Sequence, residues 1–192
     1  CCMGIVLIGD LDRKARARKA AFARRKAAHA GFHGNASAIL SSFLIDYRGV
    51  DLAGYMPIRT EIDPIPAMAK ASAYGRVGVP VIAGEGQPLK FSEWKPDGIM
   101  KDGPFGAKIP VEDWFFDPEI VIVPLVAFDT NGGRLGYGGG FYDRTLEVLR
   151  RRRPTLAIGF AYSDQMIERL PLEPTDQPMD LLITEKEIFN FQ

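Results

Sequence analysis

Hydrophobic and polar positions along this chain follow two periods that change over at Gly, Pro and Asp/Asn clusters. Residues 14–30 are dense in Ala, Arg and Lys, strong helix formers, and predict a long basic helix entered at Asp10 or Asp12 as its cap. Its apolar side is mostly alanine with Phe22, so it packs closely but contributes little buried area of its own. Past the break between Gly31 and Gly34, Ile39, Leu40, Phe43 and Leu44 recur at helical spacing and predict a helix over 35–44. Strands are predicted at 51–56, closed by Pro57, and at 77–82, interrupted at Pro80, with a more exposed alternating strand at 89–94. A β-branched run at 120–126 suits a strand covered on both faces, and 155–160 and 180–184 supply the last two. Between them, helices are predicted over 66–74, from Tyr142 to the Arg150–Arg153 run before Pro154, and over 165–170. Strands alternating with helices imply an α/β fold: an open, largely parallel mixed sheet flanked by helices in three layers.

Composition narrows the function classes. With 192 residues, 46% hydrophobic and 25% charged, the chain can bury one sizeable core, and a single domain over 10–192 is expected. Residues 1–9, which open without Met, are set aside as a segment of uncertain status. Formal net charge is zero, so no global field calls for nucleic acid or an acidic membrane as partner. Cys1 and Cys2 are adjacent and are the only thiols, which fits a reducing, cytoplasmic setting without structural bridges. No apolar run approaches the roughly 20 residues of a membrane helix. His29 and His33 have no Cys or acidic cluster beside them, and no metal site is expected there.

Basic charge is instead concentrated at Arg13, Lys14, Arg16, Arg18, Lys19, Arg24, Arg25 and Lys26. A solvated helix face, an RNA- or membrane-binding surface and a polyphosphate site all fit such a cluster. RNA is disfavoured by the lack of interleaved aromatics, while Lys14 and Arg18, four apart, share one helix face.

The chemistry concentrates in residues 121–153. A strand runs into the turn residues 129–133, then Gly136, Gly138, Gly139 and Gly140 feed a helix N-terminus. Backbone N–H groups without an intervening Cβ can close on phosphate oxygens, and a helix N-terminus favours an anion. Arg134 adds positive charge at the loop entrance, and Asp143, in the first helical turn, is placed to hold Mg²⁺ against nucleotide oxygens. A flexible turn followed by a helix N-terminal charge also fits. The spacing matches neither the nucleotide P-loop nor a dinucleotide fingerprint, so the residues by themselves give a phosphate site of unspecified type. Glu61 falls at a strand's C-terminal end, where open α/β sheets bind ligands, although a helix N-terminal charge is its plainer role. Phe105 and Trp114 lie in or beside a Gly/Pro-rich loop over 97–110 that can cover a planar ligand.

Taken together, RLGYGGGFYDR preceded by VPLVAFD resembles the signature of the 5-formyltetrahydrofolate cyclo-ligase family. The Lys14-x-x-x-Arg18 spacing is similar to the family's N-terminal nucleotide-binding segment, with Ala17 where Leu is usual. YMPIRTEID resembles its first sheet loop, in which a glutamate and an upstream apolar residue, here Glu61 and Met56, contact folate. Phe105 matches a further folate contact. The tail IGFAYSDQMIERLPLEPTDQPMDLLIT, with Gln165 and Asp176, is also similar, although Thr175 replaces a usual His, and Tyr137 stands where Arg or Lys is common.

The resemblance implies a fold related to ribose-5-phosphate isomerase-like proteins and an ATP- and Mg²⁺-dependent cyclisation of 5-formyltetrahydrofolate to 5,10-methenyltetrahydrofolate. It assigns phosphates to Lys14, Arg18 and the run Arg134, Leu135, Gly136, Tyr137, Gly138, Gly139, Gly140, Phe141 and Tyr142, with Lys14 and Arg134 acting catalytically by charge neutralisation. Folate falls to Met56, Glu61, Phe105, Tyr137 and Phe141, and Mg²⁺ to Asp143. A monomer binding small molecules, with no nucleic-acid or membrane partner, is expected. A sugar-phosphate enzyme of related fold would want a general base, and no second carboxylate accompanies the glycine loop in sequence. A basic-helix RNA-binding module is the other rival.

Overall fold

The computed structural model describes the backbone of residues 3–192 and side chains from residue 12 onward. Cys1 and Cys2 lie outside the described residues. Helix α1 spans Met3–Gly31, so positions 10 and 12 are interior to it and do not mark its start; Asp12 pairs with Arg16 one turn on. Next come α2 (Ala38–Leu44), shorter at its start than expected, β1 (Leu52–Ala53), α3 (Ile65–Ser72) and β2 (Val77–Ile82). The chain continues as β3 (Leu89–Glu93), β4 (Met100–Asp102), β5 (Lys108–Pro110), β6 (Phe115–Phe116) and β7 (Ile120–Pro124). It closes with β8 (Ala127–Phe128), β9 (Arg134–Leu135), α4 (Phe141–Arg152), β10 (Leu156–Phe160), β11 (Leu181–Ile183) and β12 (Ile188–Asn190).

Eight strands form the main sheet in the order β12-β11-β10-β7-β1-β2-β3-β6. Its centre is parallel, while β12, β3 and β6 join antiparallel, giving a mixed, mostly parallel sheet. The β-branched run of β7 explains its central place, because alternate residues serve two cores. Ile120 and Ile122 pack with Leu40 and Leu44 of α2 and Met68 of α3. Val121 and Val123 pack with Leu146 and Leu149 of α4. Helices thus cover both faces in three layers, and the alanine side of α1 (Ala17, Ala21, with Phe22) rests on Val126, Ala127 and Leu135 around the β8–β9 hairpin.

Several local expectations are corrected. The alternation over 89–94 holds at Lys90, which is exposed, and at Glu93, which is half-buried, but not at Ser92: β3 lies between β2 and β6 under α4, and Leu89 N–H donates to Thr145 Oγ1 at 2.8 Å. The 97–110 loop contains the β4–β5 hairpin. Residues 165–170 form no helix, only a 3-10 turn over Ser163–Gln165, because Ile167 N–H goes to Phe128 C=O (2.8 Å) and Leu170 N–H to Asp129 Oδ2 (3.2 Å).

Pro80 explains where the sheet opens. β1 pairs β2 only at Val77 and Gly78, so beyond that point the missing proline N–H faces no strand. Pro80, with Pro124 at the end of β7, lines a cleft at the carboxyl ends of the parallel strands.

Candidate active site

That cleft encloses about 570 Å³, enough for a drug-sized ligand. It brings together Lys14 and Arg18 of α1, Met56 and Glu61 after β1, Phe105 at the hairpin tip and the whole run from Arg134 to Asp143. Every residue singled out for the site therefore lines one cavity, whereas Trp114 is solvent-exposed, its indole N–H donating to Glu112 at 2.9 Å.

At one end the glycine loop is wrapped by guanidinium groups. Gly138 and Gly140 adopt φ values of +103° and +66°, a region closed to most side chains. Arg18 Nε donates to Gly136 C=O at 2.9 Å, and its guanidinium carbon lies 3.2 Å from where a Gly138 Cβ would sit, a tight contact. Arg144, from the first turn of α4, folds back so that Nη2 donates to Gly139 C=O at 2.6 Å. Buried Arg134 donates through Nη2 to Asp143 Oδ1 at 2.6 Å, and the same oxygen accepts Gln177 N–H at 2.9 Å.

Lys14 closes this end. Its ammonium is buried between Glu173 and Asp176, 3.0 Å from each. Burial pulls its pKa down, but hydrogen bonds and charge from Asp176 and Glu173 outweigh that, and the net direction is up. Arg134 Nε, Arg144 Nε and Tyr142 OH are buried polar atoms without hydrogen-bond partners, three unmet groups on residues that line the cleft.

The other end is built on Glu61, which is buried and is not the charge at the entrance of α3. Asp63 fills that role, accepting Ile65 N–H at 2.8 Å. Glu61 faces the cleft, taking Tyr137 OH on Oε1 and Ile58 N–H on Oε2, both at 2.9 Å. Burial raises its pKa above the usual carboxylate value, against the Ile58 and Tyr137 hydrogen bonds and the charges of Arg25 and Arg59. Tyr137 is pushed up to about 12 by burial and by the Glu61 charge.

Folding also supplies what the linear sequence hid. Glu61, Glu173 and Asp176 are distant in sequence yet share the cleft with the glycine loop, so the loop does have carboxylate company. Two of them are engaged with Lys14 and the third with Tyr137 and Ile58. Arg144 stands four residues after Gly140, within one helical turn of the loop, a place the motif alone does not turn into a role, and its turn back over the loop is a tertiary fact. The basic helix is not a continuous cationic surface, since Lys14 and Arg25 are buried and Arg18 faces the cleft.

Among the described residues no cluster of three His, Cys, Asp or Glu could hold a metal. Asp143 Oδ1 is engaged by Arg134 and Gln177 N–H, which leaves Oδ2 as the oxygen that could take Mg²⁺, an ion usually held by one or two carboxylates plus substrate phosphates. Among the described residues no helix is long and apolar enough to cross a membrane.

Comparison with known proteins gives a consistent result. Residues 14–185 match the model of the 5-formyltetrahydrofolate cyclo-ligase family. A 5-formyltetrahydrofolate cyclo-ligase of Mycolicibacterium smegmatis is 31% identical over 176 residues, covering 85% of this chain and 88% of that protein. One from Haemophilus influenzae is 42% identical over 101 residues, or 50% of this chain; the match spans about half of that relative's length, 54%. The solved structure of Aquifex aeolicus 5,10-methenyltetrahydrofolate synthetase superposes with a TM-score of 0.72 at 28% identity, covering 93% of each chain.

Proposed function

This chain belongs to the 5-formyltetrahydrofolate cyclo-ligase family, and from that premise we propose that its cleft converts 5-formyltetrahydrofolate to 5,10-methenyltetrahydrofolate with ATP and Mg²⁺, releasing ADP and phosphate. The observation that carries the reading is the polarity of one cavity, with an arginine-wrapped glycine loop at one end and the buried carboxylate of Glu61 at the other. A polyphosphate fits the first. A pterin fits the second, since its ring amide and adjacent amino group are neighbouring donors, and an ionised carboxylate retains lone pairs beyond the two that Tyr137 and Ile58 use.

In this mechanism the formyl oxygen attacks the γ-phosphorus and ADP leaves. Folate N10 then attacks the activated formyl carbon, loses its proton and expels phosphate, closing the ring. No protein nucleophile is needed, and catalysis consists of positioning and charge neutralisation. Lys14, Arg18, Arg134 and the loop amides hold phosphate oxygens, with Lys14 and Arg134 countering the charge that develops on transfer. Asp143 would hold Mg²⁺, which supplies charge neutralisation on the phosphates. Met56, Phe105 and the rings of Tyr137 and Phe141 flank the folate, with Tyr137 giving stacking and a hydrogen bond in place of the charge usual at its position. The protein acts as a cytoplasmic monomer on small molecules.

The test follows near-ultraviolet absorbance of methenyltetrahydrofolate with 5-formyltetrahydrofolate, ATP and Mg²⁺, omitting each in turn. Product only in the complete mixture supports the reading, and none from folded protein removes it.

Gly138→Ala is expected to raise the KM for ATP about tenfold, because the left-handed backbone strains a side chain by roughly 1–3 kcal/mol and the new Cβ meets the Arg18 guanidinium. Steady-state kinetics at varied ATP reads this, with the KM for folate changing less than about twofold.

A further inference from the structure

Arg25 is wholly buried on α1, yet among the described residues no ion pair joins it to a carboxylate. Its Nε donates to Thr60 Oγ1 at 3.0 Å and Nη1 to Leu125 C=O at 3.4 Å, while Nη2 is buried without a hydrogen-bond partner. A cation held this way is costly, and side chains that only pin a helix to its neighbours do not require one. What surrounds it is aromatic. The guanidinium carbon lies 5.2 Å from the Phe22 ring centroid and 5.3 Å from that of Tyr137, and the two rings tilt together at 5.4 Å. Tyr137 in turn donates its hydroxyl to Glu61.

We propose that Arg25 is a positioning residue for the folate end of the cleft: packed on the Tyr137 ring, its buried cation fixes the phenol that donates to Glu61 and keeps that carboxylate ionised for a ring amide and its neighbouring amino group. The inference rests on the reading of Glu61 as the folate acceptor. Arg25 touches no substrate and acts through Tyr137. The charged and titratable groups facing Glu61 are Arg25 from α1, Tyr55 and Arg59 from the segment after β1, Tyr137 from the glycine loop and Tyr142 from α4, while Asp63 and Arg134 act in turn on Tyr55 and Tyr142. Arg59, 5.8 Å from the Tyr137 ring centroid, is exposed, so water screens it in a way that it does not screen Arg25.

The test compares wild type with Arg25→Met, which retains the stem without the charge, and Arg25→Lys, which retains the charge. Carbon-13 NMR titration of side-chain carboxyls in ligand-free protein, with Glu61 assigned through Glu61→Gln, reads the carboxylate directly. In Arg25→Met the Glu61 midpoint is expected about one pH unit higher, a tenfold change in proton affinity, with most of that shift absent in Arg25→Lys. Equilibrium binding across pH should show the acid-side loss of 5-formyltetrahydrofolate affinity beginning about one pH unit higher in Arg25→Met, with ATP affinity unchanged within about twofold.

If Arg25→Met does not fold, Arg25→Gln keeps donors for Thr60 and Leu125 without charge and makes the same comparison. An unmoved Glu61 midpoint in a folded neutral variant overturns the inference, as do folate and ATP affinities that fall together. Wild-type protein that binds no 5-formyltetrahydrofolate overturns the functional reading and this inference with it. Wild type that binds folate, with an unmoved midpoint in the neutral variant, overturns this inference alone.

Discussion

Arg134→Ala is expected to lower kcat by about 10²–10³-fold, the loss typical when a preorganised donor aimed at developing charge is removed. The guanidinium is buried, its Nη2 is committed to Asp143, and its Nε is buried with no partner. A phosphoryl oxygen entering the cleft would meet a cation already desolvated and oriented, which is why the loss should appear in kcat rather than in KM for ATP. The same substitution leaves Asp143 without its ion-pair partner. Breaking a buried pair costs up to about 3–5 kcal/mol, discounted here because the Asp143 side chain retains 22% exposure. Thermal unfolding and a count of folded sites must therefore accompany the kinetics. Arg134→Lys should recover part of the stability and little of the rate, because an ammonium cannot reproduce the planar fork. A folded Arg134→Ala with wild-type kcat would exclude the residue from the mechanism.

Glu61→Gln is the second large effect, an expected rise of about 10²–10³-fold in the KM for 5-formyltetrahydrofolate with the KM for ATP within about threefold. A site built to receive two neighbouring N–H donors discriminates strongly once one acceptor becomes a donor. The amide still fits its protein neighbours, with its oxygen toward Ile58 N–H and its NH₂ toward the Tyr137 hydroxyl oxygen, so the fold should persist.

The pH dependence follows from burial. Because burial raises the folded-state pKa of Glu61, folate affinity in wild type should begin to fall, as pH is lowered, above the ordinary glutamate value of about 4.3. For stability the sign is opposite to the usual carboxylate. The folded protein holds the proton more tightly, so the Glu61 contribution declines as pH rises from the unfolded value through the raised folded value. Glu61→Gln should therefore be no less stable than wild type at neutral pH in thermal unfolding. A folate KM unchanged in this variant would place the pterin elsewhere.

Much of this protein was determined by sequence alone. The β-branched run in β7 could satisfy two apolar faces only as a central strand, and the glycines before Phe141 could satisfy left-handed backbone and a helix start together. Those are local consequences of side-chain shape and backbone freedom, legible without partners. Helix ends and strand exposure were less legible. Residues 165–170 had helical spacing, yet their N–H groups found Phe128 and Asp129, partners about 40 residues away in sequence, at Asp129 Oδ2. Leu89–Glu93 alternated as a half-exposed strand does and Lys90 stays exposed, but strand pairing on both sides left Ser92 buried.

Tertiary structure alone decided the site's electrostatics. Sequence offered Lys14 and Arg25 on one helix, with Glu61 and Asp176 on two further segments, as charges that could equally have faced water. Only the fold buried Lys14 between Glu173 and Asp176, left Arg25 against two rings, and turned Glu61 away from α3 into the cleft. A side chain's charge is written in the sequence, whereas its solvation and its partners belong to the packed molecule, and these set what the charge can do.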